Sequence, residues 1–115
     1  MARELYLKQL DLLKESVISF GKITDQIFRD SMVSVTDLNT KLAKKTLALE
    51  TNVNEFEEEI EVSILDLLAL QQPMACDLRL VVSSLKISAD LKRIIGLSIN
   101  IAKIPEKSKV GMLYI

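Results

Sequence analysis

The side chains best able to do chemistry in this sequence are carboxylates. Glu55, Glu57, Glu58, Glu59 and Glu61 form a dense acidic run, and Asp77 lies two residues before Arg79. Residues four apart share one face of a helix, so Glu57 and Glu61 can offer oxygen ligands to a loosely held hard cation. The plainer role of such a run is a solvated face. Asp77 and Arg79 would not face each other on a helix, so each is expected to pair with a different neighbour or to meet a partner. Asn100 is placed to bond an adjacent helix. Cys76 stands alone, near a predicted helix N-terminus that could lower its pKa, but without a basic neighbour it reads as a quiet buried thiol. Histidine is absent, which removes the commonest general base and the usual zinc or haem ligand. A Ser or Cys nucleophile needs an activating base, and none is in view. The residues predict a protein that is not an enzyme.

Composition narrows the classes further. The chain has 115 residues, 49% hydrophobic and 27% charged, which fits one folded domain and not a disordered segment. With three Gly, two Pro and 4% aromatic residues it lacks the turn and ring content of a β-sandwich. Net charge is -1, with no basic stripe for phosphates and no aromatic platform for bases, so nucleic acid is not expected as a partner. The opening Met1-Ala2-Arg3-Glu4 has no signal-peptide pattern, and no apolar run approaches a bilayer span. A soluble, cytoplasmic protein is expected; a lone cysteine fits a reducing compartment.

Periodicity supplies the elements that must position these groups. Leu10, Leu13, Val17, Phe20, Ile23 and Ile27 recur at steps of three and four, which predicts a helix of about 30 residues, roughly 45 Å long. Gly21 inside it marks a bend or close packing. The pattern fades at Met32 to Val35, and Ser34 with Asp37 makes a capping box for a second helix. That helix carries Leu38, Leu42, Leu49, Val53, Phe56, Ile60, Ile64 and Leu67 on one face until Gln71-Gln72-Pro73 breaks it. Pro73 suits the first position of a third helix, and Asp77 complements its dipole. The third helix reaches about Ile104, with one stripe at Leu80, Ser84, Ile87, Leu91, Ile94, Ser98 and Ile101. A second stripe begins at Leu78, Val82, Leu85 and Ala89. So apolar a helix predicts a subunit contact, as in a homodimer. Short connections predict an all-α, up-down-up antiparallel three-helix bundle over residues 1–104, with 105–115 a polar linker and an apolar tail that docks on the bundle or a partner.

Residues 50 to 102 resemble the signature half of a PhoU domain, a family of bacterial phosphate-uptake regulators. The resemblance is carried by Glu50, Val53-Asn54, Phe56-Glu57, Ile60-Glu61, Leu67-Leu68-Ala69 and Gln71-Gln72-Pro73. It continues through Ala75, Asp77-Leu78-Arg79, Leu85-Lys86-Ile87, Asp90-Leu91, Arg93-Ile94 and Asn100-Ile101-Ala102. Residues 5 to 45 fit as the family's first helix, with Phe20-Gly21 where Met-Gly is common. Full-length family members carry two such bundles in tandem, and this chain has one.

The resemblance implies a regulator of phosphate uptake or signalling. It would bind the phosphate transporter's ATPase subunit or a sensor kinase, and so meet the membrane only through partners. It also implies where a multinuclear iron or zinc cluster would sit, on acidic pairs spaced i and i+4 in the second and third helices. Here those pairs read Glu50 with Asn54, and Lys92 with Gly96. Asn54 keeps a carbonyl oxygen, but Gly96 has no side chain and the Lys92 ammonium repels cations, so no bound metal or other cofactor is expected. Glu57, Glu61, Asp77, Arg79 and Asn100 remain as weak cation or partner contacts. The alternatives are a metal-binding helical module using Glu50, Asn54, Glu57 and Glu61, or an architectural dimerisation domain of a transport-related protein.

Overall fold

The computed structural model describes residues 2–70 and 75–105, all-helical apart from short turns. The expectations for Gln71-Gln72-Pro73, for the tail after Pro105 and for the Cys76 side chain lie outside the described residues. Four helical segments follow in order: α1 (Ala2–Thr36), α2 (Thr40–Ala48), α3 (Glu50–Leu70) and α4 (Ala75–Ala102). They form a rod of 61 × 20 × 16 Å, a length set by α1, whose 35 residues at the helical rise span roughly 52 Å.

The first helix runs past its expected end. Ser34 lies within α1, fully buried, and its hydroxyl donates to the Ser31 carbonyl at 2.7 Å, so it caps nothing. The reversal comes at Leu38, whose φ of 50° is left-handed, and the Asn39 N–H closes it on the Ser34 carbonyl at 2.8 Å. Asn39 is the cap of α2: its side-chain oxygen accepts from the Leu42 N–H at 3.1 Å, an interaction worth about 1 kcal/mol. Leu38 is therefore exposed in the link and absent from the buried face. The expected second helix is divided in two at Leu49, whose N–H reaches back three residues to Thr46 at 3.1 Å. The ladder resumes at once with Val53 N–H on the Leu49 carbonyl.

The core joins three rods. Tyr6, Leu10, Leu13, Phe20 and Ile27 of α1 cluster with Val53, Ile60, Ile64 and Leu67 of α3 and with Val81, Ile95 and Ile99 of α4. Phe20 stacks on Phe56 with centroids 6.1 Å apart. On α4 the buried line runs through Val81, Ser84, Ser88, Ile95, Ser98 and Ala102, so it is rotated from the expected stripe, and Ile87 and Ile94 are largely exposed. Ser84 and Ser98 lie on both lines, and their buried hydroxyls are satisfied by donating to the carbonyls of Leu80 and Ile94 in their own helix.

Gly21 is neither a break nor a close approach. Helix α1 continues through it, and a Cβ there would meet no heavy atom within 4 Å. With Thr24, Asp25, Phe28, Leu91 and Ile94 it lines an open groove between α1 and α4. A mid-helix glycine with free space costs conformational entropy without return. Gly21→Ala should therefore raise stability by about 0.5–1 kcal/mol in urea denaturation.

Candidate functional site

The candidate residues of α3 come to one face because the core does. Val53, Ile60 and Leu67 turn inward, which leaves Glu50, Asn54 and Glu61 exposed and Glu57 half-buried at the edge of the contact with α4. On α4, Lys92, Gly96 and Asn100 are exposed at i, i+4 spacing. The Lys92 ammonium donates to Glu57 Oε1 at 3.0 Å, an ion pair between residues 35 apart in sequence. Lys92 of the α4 pair thus meets Glu57, one turn beyond Asn54 on α3, as cation to carboxylate.

Gly96 contributes no side chain, and a Cβ built on it would meet nothing within 4 Å. Space for a ligand exists there; the ligand does not. The donor set that remains on α3, one carboxylate already paired with an ammonium and the exposed side chains of Glu50, Asn54 and Glu61, does not fit a multinuclear metal cluster. Among the described residues no three Asp, Glu, Cys or His side chains converge where an ion could be held.

Asp77 and Arg79 separate as their spacing requires. Asp77, in the first turn of α4, accepts a hydrogen bond from the buried Tyr6 hydroxyl at 2.8 Å and so ties α4 to α1. Arg79 is exposed beside Leu78, Val82 and Ser83, around a shallow surface depression. Asn100 is exposed too, and among the described residues no side-chain hydrogen bond ties it to another helix. Tyr6 was not singled out from sequence, although its i, i+4 spacing to Leu10 marks it as inward-facing.

The expected second stripe of α4 does lie on the surface. Leu78, Val82 and Leu85 are 47%, 44% and 47% exposed, and Ala89 follows on the same face. Since Leu85 and Lys92 are seven apart, this apolar stripe leads directly into the Glu57–Lys92 pair. The surface is therefore apolar at one end and charged at the other.

Comparison with known proteins matches residues 17–104 to the PhoU domain. The phosphate-specific transport system accessory protein PhoU homolog of Rhizobium meliloti (strain 1021) is 31% identical over 96 residues, which cover 84% of this chain and 40% of the relative. A homolog 1 of the same name in Thermotoga maritima is 33% identical over 96 residues, 84% of this chain and 41% of the relative. The Escherichia coli (strain K12) PhoU is 31% identical over 86 residues, 75% of this chain and 36% of its own. No solved structure matches. The chain spans about two fifths of the length of these curated relatives. With the PhoU domain matched over residues 17–104, most of its length, the chain belongs to the PhoU family.

Proposed function

We propose that this chain is a regulatory adaptor that tunes phosphate uptake or phosphate signalling by binding proteins, and that it catalyses no reaction. The observation that carries the reading is the outward apolar stripe of α4, a surface suited to another protein, on a chain whose relatives are named as accessory proteins of phosphate-specific transport systems. Its partners would be a transporter ATPase subunit or a sensor kinase, met in the cytoplasm. Among the described residues no helix is long and apolar enough to cross a membrane. Contact with the membrane would run through those partners.

The proposed architecture is an up-down-up bundle over residues 1–104, followed by a tail. Two contacts support it: Tyr6 near the start of α1 meets Asp77 at the start of α4, and Glu57 and Lys92 pair midway along α3 and α4. The same stripe would let two copies of the chain associate. Tagged protein expressed in its own host should co-purify with a phosphate-transporter ATPase subunit or a sensor kinase at phosphate-replete growth. Repeated captures that recover neither would reject the adaptor reading.

A further inference from the structure

We infer that Lys92 is a built-in cation: its ammonium neutralises Glu57 on the face where the family would carry a metal, and this bundle is therefore metal-independent. The inference rests on family membership and on geometry, not on the identity of any partner. Lys92 Nζ lies 3.0 Å from Glu57 Oε1, and the Glu57 side chain is 24% exposed against 58% for Lys92. The least exposed carboxylate on this face is thus already charge-compensated. A divalent ion approaching Glu57 must displace an ammonium and then remain close to its positive charge, while Gly96 gives it no oxygen in return.

The closure is chemical and not steric. A Cβ at Gly96 meets nothing within 4 Å, and Glu50, Asn54 and Glu61 are exposed on α3. Carboxylates restored at 92 and 96 would find room. An ion pair this exposed contributes little to stability, so the role of Lys92 is to set the charge of the face. A covalently fixed cation also differs from a bound one in being insensitive to metal supply. The α3–α4 contact then stays the same whether metal is scarce or abundant.

The test uses the purified full chain after chelator treatment and removal of the chelator, titrated with Mn²⁺ by calorimetry. The unmutated protein should show no saturable binding up to millimolar Mn²⁺. Lys92→Glu combined with Gly96→Asp should bind at least about tenfold more tightly, with a thermal midpoint that rises on adding Mn²⁺. Lys92→Gln alone, which removes the charge without adding a carboxylate, should show weak but measurable heat of Mn²⁺ binding in the millimolar range, where the parent shows none, and preserves a reading if the double variant fails to fold. Saturable binding by the unmutated protein as tight as that of the double variant would overturn the inference. So would a Lys92→Gln protein indistinguishable from the parent. Because no partner protein is present, failure here leaves the adaptor reading untouched, and failure of partner capture leaves this one untouched.

Discussion

Phe20→Ala should lower the unfolding free energy by about 3–5 kcal/mol, the range for deleting a buried aromatic ring. Phe20 is 0% exposed, sits midway along α1, and stacks on Phe56 of α3 at 6.1 Å. Removing it takes away the transfer free energy of the ring, the stacking contact, and the support of the half-buried Phe56 face. The cavity would open in a rod only 20 × 16 Å across, where few neighbouring layers can move in to fill it. Domains of this size are stable by about 5–15 kcal/mol, so the loss is a large share of the whole. In urea, at a typical slope of about 2 kcal/mol per molar, the midpoint should fall by about 2 M at fixed protein concentration. A fall below about 0.5 M would mean that Phe20 does not hold α1 to α3 as its burial implies.

The inward faces were readable in the sequence because apolar spacing reports burial directly. Leu10, Leu13, Phe20 and Ile27 on α1, and Val53, Ile60, Ile64 and Leu67 on α3, are all in the core. What the sequence hid were places where polar or unexpected residues do a structural task. The turn after α1 was misplaced because its left-handed residue is Leu38 and not a glycine, while Ser34 spends its hydroxyl inside the helix. The inner line of α4 was only partly read: Ser84 and Ser98 were placed on it and are buried, but Ser88, Ile95 and Ala102 are buried where Ile87 and Ile94 were expected. Of the candidate site, the degeneracy of the Lys92 and Gly96 positions was legible only through the family resemblance, which implies an acid at each. The pairing of Lys92 with Glu57, and of Asp77 with Tyr6, joins residues 35 and 71 apart and depended on how the helices are aligned. Spacing along one helix carries no such information.

Leu85→Glu should dissociate the proposed homodimer while leaving the helices intact. Leu85 lies in the middle of the outward α4 stripe, between Val82 and Ala89, and is 47% exposed in the single chain. A glutamate there remains solvated in the monomer, and its helix propensity is close to that of leucine, so folding should change by only a few tenths of a kcal/mol. In a two-fold dimer built on this stripe the same carboxylate is buried without a partner, at a cost of several kcal/mol. Two-fold symmetry places the substitution in both subunits. At about 1.4 kcal/mol per tenfold, the dissociation constant should rise by about a thousandfold or more. Sedimentation equilibrium on the unmutated chain should fit a dimer at micromolar concentration, and the variant should fit a monomer with unchanged far-ultraviolet circular dichroism. Ala89→Glu, one turn further along the same face, should act in the same direction. An unmutated chain that sediments as a monomer at micromolar concentration would sink the dimer and leave the α4 stripe to a different protein.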